Sequence, residues 1–171
     1  QAEESLSLAS TQRSTIFRFS EITTQPVGGK ARGLSQLQRI PLSVPDGFVI
    51  VDPSLLSESL LQKHLNRLGP GPKAVRSSAI GEDGEESSFA GQFDSILHCK
   101  TTHEVMQAIE RCIESGKSTR SQAYSQEQQQ STETQMCVIV QRMIPAKTAG
   151  VLFTADPVSQ RRDILTLDAT T

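Results

Sequence analysis

MCVIVQRMIPAKTAGVLFTADPVSQRRDILTLD, residues 136–168, holds the clearest strands of the chain. MCVIVQRMI is the strongest, AGVLFTAD comes next and DILTLD is the third. Turn signals at Pro145 and at Asp156-Pro157 separate them. These runs predict strands over residues 138–143, 150–155 and 163–167. Working outward, AVRSS (74–78) and FDSIL (93–97) read as two more strands, GFVIV (47–51) as a buried strand and IFRF (16–19) as a short one. Helical spacing appears in three places. In GGKARGLSQLQRI it involves Ala31, Leu34, Leu37 and Ile40 behind a glycine pair. After Asp52-Pro53, which reads as a helix start, it involves Leu56, Leu60, Leu61, Leu65 and Leu68, up to Gly69-Pro70. In THEVMQAIERCIESG it involves Val105, Ala108, Ile109, Cys112 and Ile113. Strands and helices mix without a strict alternation. That predicts an α+β fold, a mixed or antiparallel sheet with flanking helices, rather than a doubly wound one.

The 171 residues suit one domain. With 36% hydrophobic and 4% aromatic residues, the core must be built from Leu, Ile and Val. The 17 basic and 19 acidic residues give a formal charge of −2, with no long block of either sign, which argues against a nucleic-acid partner held by a basic face. No apolar run approaches the roughly 18 residues of a membrane span, so no membrane partner is expected. The first 15 residues lack the basic and apolar regions of a signal peptide and read as a flexible tail. The chain opens on Gln1 rather than Met, which fits a processed product or a piece cut from a longer chain. Around 117–134 a Gln/Ser-rich tract reads as a polar linker, its early part able to extend the preceding helix. Cys99, Cys112 and Cys137 are odd in number and widely spaced, a poor fit to zinc or a disulfide framework. Buried reduced thiols in a cytoplasmic protein are expected instead.

Two segments invite comparison with a phosphate-binding P-loop, and both fail. That loop needs a glycine five positions before the glycine of Gly-Lys, so that backbone N–H groups encircle the phosphates. In ESGKST that position is Arg111, and in VGGKA it is Thr24. Gly28-Gly29-Lys30 nevertheless offers close backbone approach, a helix N-terminus and a full charge to an anion. A plain loop-to-helix turn with an exposed lysine accounts for it as well. Arg76 stands near a strand end, where its planar fork could grip phosphate oxygens, with Ser77 and Ser78 as hydroxyl donors. Ala90-Gly91 leaves backbone free of bulk nearby. The competing account pairs Arg76 with Glu82, Asp83, Glu85 or Glu86 on a surface loop. His64, His98 and His103 share no metal-like spacing, and no serine or cysteine lies in a nucleophile elbow. No catalytic nucleophile or metal ligand is expected in this chain.

Four segments taken in order, VGGKARGLSQL, VPDGFVI, AVRSSAIGEDGEESSFAGQFDSIL and VIVQRMIPAKTAGVLFTADPVS, resemble the N-terminal ATP-binding domain of phosphoenolpyruvate synthase. Pyruvate phosphate dikinase and rifampicin phosphotransferase share that domain. The resemblance implies residues 16–171 as part of an ATP-grasp-like nucleotide-binding domain, its N-terminal portion. It implies that Lys30 and Arg76 contact ATP phosphates, that Gly91 and Ser95 line the same loop, and that Gln141 lies near the nucleotide. Magnesium would accompany ATP, its ligands expected outside this chain. In the complete enzyme an ATP phosphate would pass to a catalytic histidine on another domain and then to pyruvate.

The departures from the family pattern are specific. The insertion between GFVIV and AVRSS is cut to about one helix, and the Gln/Ser tract replaces an aromatic-rich helix. The chain stops at LTLDATT where the family continues toward a glycine-rich segment, so the phosphohistidine and acceptor-substrate domains are expected on a longer chain. Two alternatives stand beside the synthase-like assignment. One is an enzyme resembling rifampicin phosphotransferase, and the other is a non-catalytic truncated nucleotide-binding or interaction module. Even as part of a phosphotransferase, the chain is expected to be inactive as an isolated fragment.

Overall fold

The computed structural model describes residues 14–79, 95–124 and 136–171. Five strands form one antiparallel sheet: β1 (Ile16–Arg18), β2 (Gly47–Ile50), β3 (Lys73–Ala79), β4 (Ser95–Cys99) and β5 (Met136–Arg142). Their spatial order is β1-β2-β5-β3-β4. β5 therefore enters late in sequence and takes the centre. It pairs with β2 from Gly47↔Gln141 to Ile50↔Val138 and with β3 from Lys73↔Arg142 to Ala79↔Met136. A central strand covered on both faces needs apolar side chains at successive positions, and Cys137-Val138-Ile139-Val140 supplies them. All four are fully buried. The expected choice between mixed and antiparallel resolves to antiparallel in every pair.

The period of two divides the core. Val138 and Val140 join Phe48, Ile50 and Val75 beneath α2 (Glu58–Leu68) and α3 (Thr102–Tyr124). These helices contribute Leu61, Leu65, Leu68, Val105, Ala108, Ile109 and Cys112. Cys137 and Ile139 face the other way, with Val49, Val51, Phe19, Ile22 and Ala31. That second layer is closed by α1 (Gly29–Leu37) and the segment before it.

Three boundaries differ from the sequence expectation. The helix read from Asp52-Pro53 begins later, because the Asp52 carboxylate takes the Ser54 N–H at 3.0 Å and closes a 3-10 turn over Pro53–Leu55. Ser57 then caps α2 by accepting from the Leu60 N–H. The polar tract read around 117–134 overlaps α3, which runs to Tyr124, while residues 125–135 lie outside the described residues. The third shift is in β7 (Thr166–Thr170), which starts later than DILTL. Asp156 accepts from the Val158 and Ser159 N–H groups, and its own N–H donates to the Arg161 carbonyl. Arg161 pairs with Asp163, so this stretch is turn rather than strand. β7 pairs with β6 (Ala149–Phe153) as a separate two-stranded ribbon, in register Phe153↔Thr166 and Leu152↔Leu167. The N-terminal tail up to residue 13, the acidic loop from Ile80, Phe93 and Asp94 all lie outside the described residues.

Candidate functional site

Arg76 lies in the middle of β3, exposed between buried neighbours. Its cross-strand partners are Ile139 on β5 and Ser95 on β4. Through Ile139 the row continues to Val49 and Phe17. Since Val49 and Ile139 belong to the α1 layer, Arg76 and Ser95 occupy the α1 face of the sheet. Ser95 is exposed at the start of β4, an edge strand.

One row along the same face, Ser78 pairs with Cys137. Here the N-terminus of α1 comes down onto the sheet. Gly28 is the N-cap residue and has no side chain with which to take an amide. The hydroxyl oxygen of Ser78 accepts the Ala31 N–H at 3.4 Å instead. The Cys137 thiol donates to the Pro26 carbonyl at 3.5 Å, so the segment leading into α1 is fastened at two points. Burial pushes the Cys137 thiol up to about 11, against a smaller opposing effect of a backbone hydrogen bond with Gly28. It is a packed thiol and not a nucleophile at neutral pH. Lys30, the second residue of α1, is exposed at this junction.

One row along in the other direction, Gln141 stands between Ala74 and Gly47. It is 6% exposed, and its side-chain N–H donates to the Pro45 carbonyl at 2.9 Å. The fold thus brings Lys30, Arg76, Ser95 and Gln141 to one face of one sheet, whereas Gly91 and the acids suggested as Arg76 partners lie outside the described residues. The two serines after Arg76 part company. Ser77 alternates to the α2–α3 face beside Val138, so it is no donor to a ligand at Arg76. Ser78 is on the Arg76 face, fully buried, and spends its oxygen on α1. Sequence reasoning missed this role, because a hydroxyl bonded 47 positions away leaves no local signature.

A cavity of about 460 Å³ lies elsewhere, lined by Gln62, Asn66, Lys73, Lys100 and Thr102 among others. Lys73 alternates with Arg76 and is buried on the α2–α3 face. Its ammonium donates to the carbonyls of Gly69 and Gly71, and burial followed by the charge of Arg142 lowers its pKa. Among the described residues no three His, Cys, Asp or Glu side chains gather in a metal-binding group. No described helix is long and apolar enough to cross a membrane.

Residues 53–170 match the family described as pyruvate phosphate dikinase, AMP/ATP-binding domain. The match contains Arg76, Ser95 and Gln141, while Lys30 precedes it. A Bacillus subtilis protein named Uncharacterized phosphotransferase YvkC is 30% identical over 176 residues, covering 85% of this chain and 21% of its own length. A Rifampicin phosphotransferase of a Streptomyces species is 43% identical over 97 residues, covering 56% of this chain and 11% of its own. A Probable phosphoenolpyruvate synthase of Methanocaldococcus jannaschii is 37% identical over 97 residues, covering 56% and 8%. At most, then, the chain spans about a fifth of the length of these relatives. The matched segment runs from the turn before α2 to the end of β7, so it includes the strands that carry Arg76, Ser95 and Gln141. The chain belongs to the family of the pyruvate phosphate dikinase AMP/ATP-binding domain.

Proposed function

We propose that the α1 face of the sheet binds MgATP, with the phosphates held between Lys30 and Arg76, in the manner of an ATP-grasp-like domain. The observation that carries this is the landing of the α1 N-terminus on Ser78, two residues along β3 from Arg76 and on the same face. The helix start that carries Lys30 then lies over the face that carries Arg76, a junction that suits the negative charge of a polyphosphate. Ser95 is assigned to the phosphate end, and so is Gly91, which lies outside the described residues. Gln141, held by its side-chain N–H donating to the Pro45 carbonyl, lies near the nucleotide. Magnesium arrives with the nucleotide and neutralises phosphate charge.

Residues 16–171 are the nucleotide-binding portion of a larger phosphotransferase. In it a phosphate from ATP passes to a histidine on another domain and then to pyruvate. This chain contributes positioning and charge neutralisation to that transfer. An antibiotic is the second phosphate acceptor to consider, since relatives named rifampicin phosphotransferase share this segment. A reducing, cytoplasmic setting suits three free cysteines, all of them buried.

The test is MgATP affinity, measured by calorimetry on the chain and on its Arg76→Ala and Lys30→Ala variants. Losing one charge-assisted phosphate contact corresponds to about 1.5–3 kcal/mol, or roughly ten- to a hundredfold in affinity. Both variants are expected to fall by that order. An Arg76→Ala chain that binds ATP as well as its parent would reduce the arginine to a surface ion-pair partner.

A further inference from the structure

We propose that Gly28 and Ser78 together form a positioning lock, setting where Lys30 stands relative to Arg76. The inference rests on the MgATP assignment above and adds two residues to it, neither of which touches the ligand. A Cβ placed on Gly28 would lie 2.4 Å from the Ser78 hydroxyl oxygen, 2.5 Å from the Ala79 carbonyl oxygen and 2.6 Å from the Ser78 carbonyl carbon. Two of those three atoms are backbone, so no rotamer change relieves the clash. The α1 N-terminus therefore sits on β3 at a distance that only glycine allows.

Ser78 completes the lock from the strand side. Its oxygen supplies to the Ala31 N–H the acceptor that an N-cap side chain would ordinarily give. Ala31 and Ser78 are both fully buried, so water cannot replace that bond. Lys30 precedes Ala31 directly, and Arg76 lies two strand residues from Ser78, roughly 7 Å along β3. The backbone anchors of the two cations are thereby tied through one contact. A polyphosphate that must meet both charges is sensitive to their separation, because a displacement of about 1 Å can weaken a well-oriented interaction severely. Ser78 acts through Lys30, so it is a positioning residue.

The experiment is a double-mutant cycle on the full chain, reading MgATP affinity in the parent, Ser78→Ala, Lys30→Ala and the combined variant, with thermal unfolding to confirm folding. Loss of one buried hydrogen bond predicts roughly two- to tenfold weaker binding in Ser78→Ala. Positioning requires that this loss vanish once Lys30 is alanine, whereas a general loosening of the fold would persist. If Ser78→Ala does not fold, Ser78→Cys, which nearly keeps the volume and weakens the acceptor, decides in the same two backgrounds. Unchanged affinity, or an equal loss with and without Lys30, overturns the lock while leaving the ATP assignment standing. A parent chain that binds no ATP overturns the assignment, and the lock with it.

Discussion

At the scale of single residues, the sheet depends on positions where a side chain would not fit. Gly47 begins β2 opposite Gln141, and a Cβ there would lie 2.6 Å from the Phe19 ring and 2.7 Å from the Val140 carbonyl oxygen. Phe19 is fully buried in the α1 layer, so its ring has no open space to swing into. Gly47→Ala must instead move β2 away from β5. Overpacking of this kind commonly destabilises by about 1–3 kcal/mol. Urea unfolding of Gly47→Ala should shift to lower midpoint by that order; a midpoint within error of the parent would mean the ring adapts freely. The glycine was visible in the sequence only as the start of a buried strand. Its steric role comes from Phe19, 28 positions earlier.

Elements are held by what lies beneath them, and α2 shows this with a titratable group. His64 projects from α2 to within 5.4 Å of the Phe48 ring on β2, at an interplanar angle of 58°. Burial chiefly, and then the charges of Arg67 and Lys63, lower its pKa below the ordinary histidine value. The unfolded chain therefore takes up the proton first as pH falls. Stability contributed by the neutral ring is present above about pH 6.5 and declines as acid is added, until the folded pKa is passed. His64→Gln should flatten the fall in unfolding free energy just below pH 6.5, measured by denaturant titrations across that range. An unchanged slope would place the acid sensitivity on other groups. A leucine-rich helix containing His64 was plain from the spacing, yet the ring's partner was not, because β2 and α2 meet only in the folded sheet.

For the whole molecule, the distribution of burial sets the order in which it opens. β5 is bonded on both edges and sealed on both faces, with Val138, Ile139 and Val140 fully buried. The β6–β7 ribbon is the opposite case. Val151 and Leu152 are 55% and 57% exposed and Leu167 is 68% exposed, so the pairing gains little from packing. Isolated two-stranded ribbons are marginal in water. Native-state hydrogen exchange should find the slowest amides at residues 138–140, with the ribbon amides exchanging faster by at least about a hundredfold through local opening. Equal protection in β5 and β6 would show the ribbon unfolding only with the whole domain.

The sequence by itself determined the class of the fold and the positions of β3, β5 and β6 to within a residue or two. It could do so because alternation, β-branched runs and turn residues act over a few positions of chain. The approximate placement of α1 and the end of α2 followed from helical spacing and Gly69. The start of α2 did not, since Asp52 and Ser57 are both competent caps and the choice depends on which leucines find the core. The order β1-β2-β5-β3-β4, the division of Ser77 from Ser78 and the seating of Gly28 on β3 were decided only by tertiary structure. Each depends on strands far apart in sequence becoming neighbours, and a register change of one residue would exchange the two faces. Lys30 and Arg76 share a face for that reason: β5 pairs with β3 in one register, and the resulting surface is where α1 packs.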